Sequence, residues 1–127
     1  MIAEAIVCLA LNIYFEARGE SELGKRAVAY TTVNRTENNL QVCKIIHEPG
    51  QFSWLPAKRP IKDKKAFEEA KKLAKEVLSD VDRLNDPTNG ATYFHNEGVK
   101  PVWSKRFKRT LKVGKHIFYR TPTGKYK

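Results

Sequence analysis

The amino-acid sequence predicts an α+β domain in which helices come first and short antiparallel strands follow. Apolar residues recur at helical spacing over most of residues 2–79, most regularly from Lys64 to about Ser79. Beyond a turn signal at 86–90 the apolar segments are short, as is typical of strands. Two of these segments flank residues 113–115 as the strands of a hairpin would. Because helices and strands are segregated along the chain, the α+β class follows.

The first predicted helix carries an acidic side chain on its apolar side, near its end. Its apolar stripe consists of Ile2, Ala5, Ile6, Leu9 and Ile13. Glu16 falls on the same stripe, and Gly19 is expected to end the helix in the left-handed conformation. The helix dipole and the apolar neighbours would favour the protonated carboxyl, and Arg18 would oppose them. Glu16 is therefore either a general acid or an ordinary helix-end glutamate that reaches water.

Two further helices are predicted before residue 48. Ser21 can cap a helix that runs to about Asn38. Its expected inner face consists of Leu23, Ala27, Tyr30, Thr31 and Asn34, and we expect Asn34 and Arg35 to hold the helix pair together. Residues 39–47 are predicted to form a short helix, and 51–55 either a strand or an extended loop.

The last helix and the strands have the clearest local signals. Asp63 is expected to cap the helix from Lys64 to about Ser79, whose charged side would face water. Residues 91–96 are predicted to form a strand, and 109–112 and 116–120 to pair as a hairpin.

Length and composition limit the class of protein. A chain of 127 residues is long enough for one domain with its own core, and we expect a single domain over 1–127. There is no apolar run of 18 or more residues, and no basic flank or cleavage site accompanies the N-terminal apolar stretch. We therefore expect no transmembrane helix and no signal peptide.

Cysteines and histidines suggest structural roles. Cys8 and Cys43 lie within apolar patterns, which favours buried free thiols in a reducing compartment, although a bridge between them stays open. His47, His95 and His116 are far apart and lack partners at metal-ligand spacing. We expect hydrogen-bonded structural histidines, no metal site and no cofactor.

The net charge of +10 is concentrated in the C-terminal segment. Residues 1–97 hold 14 basic and 14 acidic residues, whereas residues 98–127 hold 10 basic residues and no acidic one. Such clustering favours a polyanionic partner: nucleic acid, an anionic cell wall or a membrane surface. Aromatic residues interleaved with these charges would also suit a nucleic-acid-binding protein, which is the alternative from another functional class.

Several motifs, in order, resemble those of the spore cortex-lytic cell wall hydrolase family. The motifs are Tyr14-Phe-Glu-Ala-Arg-Gly-Glu20 with Gly24, Thr32-Val-Asn-Arg35, Val42-Cys43, Pro49-Gly-Gln-Phe-Ser-Trp54, Asp86-Pro-Thr88, Gly90-Ala-Thr-Tyr-Phe94 with Asn96, and Val113-Gly-Lys-His-Ile-Phe-Tyr119. The resemblance covers nearly the whole chain, and several motifs in the same order are more specific than any one.

This resemblance implies a lysozyme-like catalytic domain that cleaves the β-1,4 bond between N-acetylmuramic acid and N-acetylglucosamine in bacterial peptidoglycan. Glu16 matches the family's catalytic glutamate. Lytic transglycosylation needs this one acid and leaves 1,6-anhydro-muramic acid ends. A hydrolytic muramidase of the same fold, which normally uses two carboxyls, is the alternative.

The candidate substrate-binding residues come from the same motifs: Trp54, Tyr93, Glu20, Ser53 and Asn96. Trp54 and Tyr93 could stack on sugar rings, although aromatic residues at alternating positions are more often core. Phe52, Phe94 and Trp103 are weaker candidates of the same kind. Glu20 could orient a water, but a loop acid solvated by water is the interpretation we favour.

Family members that act on spore cortex often carry a separate wall-binding module, which leaves specificity for muramic lactam open here. A stand-alone domain without a signal peptide resembles a phage endolysin, which is made in the host cytoplasm and reaches the wall through a pore made by another protein. We expect a monomer that the basic C-terminal segment draws to the anionic cell-wall surface, with no specific nucleic-acid partner.

Overall fold

A computed structural model describes residues 2–48 and 60–126, without the side chain of Leu40. Within these residues the helices are α1 (Ile2–Ala17), α2 (Glu22–Asn34), α3 (Val42–Ile46) and α4 (Lys64–Ser79). The strands are β1 (Tyr93–Asn96), β2 (Lys108–Val113) and β3 (His116–Arg120). The predicted α+β class, with helices before a small antiparallel sheet, is confirmed. None of the described helices is long and apolar enough to cross a bilayer.

The helical core forms where α1 packs against α2, α3 and α4. Leu9 and Ile13 on α1 are buried, as the predicted stripe requires, whereas Ile2 is 53% exposed. On α4 the buried residues are Ala70, Leu73, Ala74, Val77 and Leu78, which agrees with the prediction that its charged side faces water. Removing such side chains from water contributes roughly 1.5–3 kcal/mol for each large one. This burial fixes the axis of α1 and, with it, the position of its last turn.

The predicted caps are present. The Ser21 hydroxyl accepts a hydrogen bond from the Gly24 N–H at 3.1 Å, and the Asp63 carboxylate accepts one from the Ala66 N–H at 3.0 Å. These bonds satisfy backbone donors that the first turn of a helix leaves free. The bounds of α4 agree with the prediction because cap and periodicity are both local signals.

The ends of α1 and α2 differ from the prediction. Gly19 does not have a positive φ; the turn closes instead through a 2.9 Å hydrogen bond from the Glu20 N–H to the Ala17 carbonyl. Helix α2 ends at Asn34, four residues early, and its last turn closes through a hydrogen bond from the Thr36 N–H to the Val33 carbonyl at 3.0 Å. The Arg83 guanidinium binds the same carbonyl at 3.1 Å. The predicted inner position Leu23 is also wrong, since that side chain is 47% exposed.

A disulfide joins α1 to α3. Cys8 and Cys43 are bonded, with their Cα atoms 5.3 Å apart, so the preferred prediction of free thiols is wrong. Their sequence separation of 35 positions hid this proximity, which arises only when α1 and α3 pack together.

The sheet has the strand order β1-β3-β2, and both neighbouring pairs are antiparallel. Its hairpin turns at Gly114, whose φ of 54° favours glycine. Phe94 and Phe118 stand opposite each other and pack with Ala17 and Val28. The sheet is therefore fixed against the C-terminal end of α1. The predicted strand at 91–96 begins two residues later than expected, and β2 extends beyond the predicted 109–112.

Candidate active site at the end of the first helix

Glu16 lies in the last turn of α1, half-buried, on the wall of a cavity of about 440 Å³. The described residues that line this cavity are Tyr14, Phe15, Glu16, Arg18, Gly19, Pro60 and Lys62. The position agrees with the prediction that Glu16 lies on the apolar stripe in the last turn of the helix. Cavities of this size commonly hold small ligands, and a sugar ring would fit here.

Tyr14 anchors this wall to the start of α4. Its hydroxyl oxygen accepts hydrogen bonds from the backbone N–H groups of Lys62 at 3.1 Å and Asp63 at 3.0 Å, and from the Arg18 guanidinium. Burial raises the pKa of the Tyr14 hydroxyl, but the two backbone donors and Arg18 outweigh it, so the net pKa is lowered. Tyr14 thus holds two other residues of the cavity wall, Arg18 and Lys62, around one oxygen atom.

Arg35 connects the end of α2 to the sheet. Its Nε donates to the Thr92 carbonyl at 2.7 Å, and its guanidinium lies 5.6 Å from the Tyr93 ring centre and 4.8 Å from that of Tyr126. Burial lowers the pKa of Arg35, and four neighbours oppose it: Tyr126, Tyr93, Glu48 and Glu16. The positive charge of Arg35 is therefore close enough to act on Glu16 electrostatically.

Asn34 performs a similar connection at the same helix end. Its Nδ2 donates to the Asp86 carboxylate and to the Ala91 carbonyl, each at 2.9 Å. The prediction that Asn34 holds the two helices together is wrong, because these bonds join α2 to the segment that leads into β1. For Arg35 it stays a prediction, since Arg35 binds the same segment and also interacts electrostatically with Glu16 of α1.

Tyr93 lies outside the cavity of Glu16, in a cluster of half-buried rings. Its ring centre is 5.0 Å from those of Trp103 and Phe107 and 5.5 Å from that of Tyr126. Pairs at such distances stabilise each other by roughly 0.5–1.5 kcal/mol beyond their buried area. These ring contacts are sufficient to explain the position of the Tyr93 side chain, and sugar stacking by this residue stays a prediction.

Glu20 is not a solvated loop acid, and that interpretation is wrong. Its side chain is only 16% exposed and packs against the β2–β3 turn, where the Lys115 N–H lies 3.4 Å from its Oε1. A Cβ at Gly114 would lie 2.3 Å from the same oxygen, so only glycine leaves room for Glu20. The carboxylate is thus held by the hairpin rather than by water.

The other predicted substrate-binding residues do not line the cavity in the described part of the chain. The Asn96 side chain accepts a hydrogen bond from the Gly98 N–H at 3.0 Å and shapes the turn after β1. Ser53 and Trp54, with the predicted strand or loop at 51–55, lie outside the described residues. Of the predicted site residues, the structure places Glu16 at the cavity.

The three histidines differ from one another. His95 is hydrogen-bonded, as predicted, with the Tyr119 hydroxyl at 2.9 Å and the Asn96 carbonyl at 2.8 Å. His47 is exposed after α3. His116 differs from the prediction of a hydrogen-bonded histidine, because its buried Nδ1 has no hydrogen-bond partner among the described residues. Over 2–48 and 60–126, no group of three or more His, Cys, Asp or Glu side chains could hold a metal ion.

Sequence reasoning missed three contributors to the site. Arg18 was considered only for its charge, Arg35 only as a helix connector, and Lys62 not at all. Arg18 and Arg35 both stand in motifs that the resemblance had singled out, which was an available signal. Lys62 carried no local signal, because its position depends on the Tyr14 hydroxyl 48 residues earlier in the chain.

Sequence comparison shows that this chain is similar to known proteins. Residues 19–119 match the family described as Cell Wall Hydrolase. The spore cortex-lytic enzyme of Bacillus cereus is 31% identical over 119 residues, covering 89% of this chain and 43% of that protein. The one from Halalkalibacterium halodurans is 30% identical over 119 residues, covering 89% and 34%. The chain thus spans less than half the length of these relatives.

Structural comparison gives the same association. The catalytic domain of the Bacillus cereus SleB protein superposes with a TM-score of 0.74 at 28% identity, covering 93% of this chain and 91% of that one. The catalytic domain of the germination-specific lytic transglycosylase SleB from Bacillus anthracis has a TM-score of 0.67 at 29% identity, covering 91% and 93%. The family match begins at residue 19, so the role of Glu16 is argued from its own geometry.

Proposed function

This chain belongs to the cell wall hydrolase family, and we propose that it cleaves the β-1,4 bond between N-acetylmuramic acid and N-acetylglucosamine in bacterial peptidoglycan. The observation that carries the proposal is the half-buried Glu16 on the wall of a cavity of about 440 Å³. A carboxyl group in such a position can meet the bridging oxygen of a bound glycan and donate a proton to it.

We propose lytic transglycosylation as the reaction. Glu16 protonates the glycosidic oxygen, and the bond from that oxygen to C1 of muramic acid breaks. The Glu16 carboxylate then takes the proton of the muramic 6-hydroxyl, whose oxygen bonds to C1. The products are a free 4-hydroxyl on the leaving sugar and a 1,6-anhydro end, with no water consumed.

The lining of the cavity supports this reaction over hydrolysis. Glu16 is the one carboxylate among the described residues that line it, whereas hydrolysis normally uses two carboxyls on either side of the bond. Glu20 packs on the β2–β3 turn and does not line the cavity. One structural relative is described as a lytic transglycosylase, which agrees with the same choice.

Mass spectrometry of the fragments released from purified peptidoglycan tests the reaction. Fragments that end in 1,6-anhydro-muramic acid are expected. Reducing muramic acid ends, heavier by one water, would mean a muramidase. Free stem peptides without glycan cleavage would overturn the glycosidase assignment.

We also propose that the basic C-terminal segment binds the anionic wall. Lys105, Arg106, Lys108 and Arg109 are all exposed. Trp103, which precedes these four residues, and Phe107, which lies between Arg106 and Lys108, pack against Tyr93 instead of standing free as base-stacking platforms. This packing favours the wall over nucleic acid, for which exposed aromatic residues would be expected. A gel shift with DNA and RNA at physiological salt is expected to show no tight complex.

For the site of action we propose the space outside the cytoplasm, with an endolysin as the most specific form of that proposal. The Cys8–Cys43 disulfide supports an oxidising environment. Expression inside a susceptible bacterium is expected to cause lysis only when a pore-forming protein is co-expressed. Lysis without the pore would contradict the endolysin proposal.

A further inference from the structure

We propose that Arg18 and Lys62 form a carboxylate-binding subsite beside Glu16, which selects muramic acid residues that carry a free carboxylate. The carboxylate belongs either to the lactyl group of muramic acid or to the stem peptide attached to it. The inference rests on the proposed function, since it assigns a second part of the same cavity.

Arg18 is held in place without an acidic partner among the described residues. Its guanidinium carbon lies 4.8 Å from the Tyr14 ring centre, and one of its nitrogens donates to the Tyr14 hydroxyl. None of the ion pairs among the described residues involves Arg18 or Lys62. Arg18 is also exposed at the cavity wall, so donors of its guanidinium stay available to a ligand.

Tyr14 brings the two cationic residues together. The backbone N–H of Lys62 donates at 3.1 Å to the same phenol oxygen that the Arg18 guanidinium binds. Because Tyr14 is buried, this oxygen is a fixed point. Both residues line the cavity that contains Glu16. The cavity wall thus combines a planar guanidinium, suited to bidentate carboxylate binding, with a lysine side chain of the same charge.

The charge of the described cavity wall fits an anion. Arg18 and Lys62 are its cationic residues, and Glu16 is its only carboxylate. A general acid is protonated when the glycan binds, so in that state the described residues of the wall carry two positive charges and no negative one. A cavity lined by charges of one sign concentrates ligands of the opposite sign.

This chemistry distinguishes among muramic acid residues. The lactyl group ends in a carboxylate once the peptide is removed, and an intact stem peptide carries carboxylates of its own. A muramic lactam has neither, because the lactyl carbonyl is closed onto the sugar nitrogen. The subsite therefore predicts a preference for muramic acid with a free carboxylate over the lactam or any neutral amide.

A competing explanation of Arg18 and Lys62 is that their positive charges stabilise the ionised form of the Glu16 carboxyl. That effect would change the cleavage of every glycan alike, because it does not depend on the substrate's substituent. The ratio of kcat/KM between two substrates isolates the subsite from this effect. The experiment therefore compares substrates within each variant.

The experiment uses three glycans of equal length, with intact stem peptides, with stems removed to leave lactyl carboxylates, and with those carboxylates capped as methyl amides. The wild type is expected to prefer at least one carboxylate-bearing glycan over the capped one by about tenfold or more, since charge-assisted hydrogen bonds are the strong ones. In Arg18→Gln and Lys62→Gln this preference is expected to fall by about fivefold or more, through KM. The preferred glycan shows whether the carboxylate that the subsite binds belongs to the stem peptide or to the lactyl group.

Lys72→Gln is the matched control, because it removes one exposed positive charge from α4, away from the cavity. It is expected to keep the wild-type preference. Cleavage by the wild type without any carboxylate preference, or an unchanged preference in both site variants, would overturn the subsite alone. Failure of the wild type to cleave any of the glycans would overturn the proposed function and the subsite together.

Discussion

The Glu20 carboxylate lies 3.9 Å from Nδ1 of His116, and the two side chains join the turn after α1 to the β2–β3 hairpin. Both are largely buried, at 16% and 11% exposure. Glu20 stands four residues after Glu16, so this contact ties the end of the proposed catalytic helix to the sheet. The cavity wall is thereby fixed from two sides, by Tyr14 at α4 and by Glu20 at the hairpin.

The first prediction concerns the pH dependence of stability. Burial lowers the pKa of His116 and outweighs the attraction of Glu20, while His95 lowers it further. The folded protein thus binds the His116 proton less readily than the unfolded chain, whose histidines titrate near about 6.5. The contribution of neutral His116 to the free energy of unfolding is fully present above about pH 6.5. It is lost as the pH falls from about 6.5 toward the pKa of His116 in the folded protein.

Urea unfolding at about pH 7.5 and about pH 5.5 measures this contribution. His116→Gln, which cannot be protonated, is expected to lose less free energy of unfolding between these pH values than the wild type. An equal loss in both proteins would show that other groups carry the pH dependence.

The second prediction concerns the space under Glu20. Gly114→Ala would place a Cβ 2.3 Å from the Glu20 Oε1, at a residue whose φ is 54°. We expect a loss of about 1–3 kcal/mol in the free energy of unfolding. Gly19→Ala is the control, because a Cβ there would meet no atom within 4 Å and its φ is not positive. Equal stability of the two variants in thermal unfolding would argue against the Glu20 contact.

The third prediction concerns the disulfide. Replacing Cys8 and Cys43 by alanine removes a cross-link between residues separated by 35 positions. Closing a loop of this length stabilises a protein by about 3–4 kcal/mol in the chain-entropy model. The double variant is expected to unfold at a lower temperature and to be insensitive to reductant, which should destabilise only the wild type. Insensitivity of both proteins would contradict the disulfide.

The fourth prediction concerns the basic segment. Reversing Lys105, Arg106, Lys108 and Arg109 to glutamate is expected to weaken binding to purified walls at low salt and to matter little at high salt. Exposed charges act over about 8 Å at physiological ionic strength, and salt shortens that range. The same reversal at four exposed lysines of α4 is the control for net charge, at Lys64, Lys65, Lys72 and Lys75. Equal losses of wall binding at every salt concentration would mean that the four residues contact the glycan directly at the active site.

Local signals were enough to predict the elements that support the site. The Asp63 cap and the apolar periodicity of α4 are each encoded within one helix, and the hairpin is encoded by its own turn at Gly114. The position of Glu16 was predicted in the same way, since its spacing places it on the apolar stripe in the last turn of α1, at the edge of the core.

Long-range contacts explain what the sequence did not reveal. Glu20 was assigned to solvent because nothing near it in sequence could bury it; the residue that does so, Lys115, follows 95 positions later. The disulfide and the role of Lys62 depend on helix packing in the same way. Periodicity shows which side of a helix is buried, but not which residue of another element meets it.

The most direct test of Glu16 as the catalytic acid is the rate of turbidity loss of purified walls with Glu16→Gln and Glu20→Gln. Glutamine keeps the shape of the side chain but cannot donate the proton, so Glu16→Gln is expected to lose about 10²–10⁴-fold or more in rate. Its circular dichroism and wall binding should stay close to those of the wild type. Glu20→Gln can still accept the hydrogen bond of Lys115, and a loss below about tenfold is expected. Retention of most activity by Glu16→Gln, with Glu20→Gln inactive, would contradict the assignment and move the acid to Glu20.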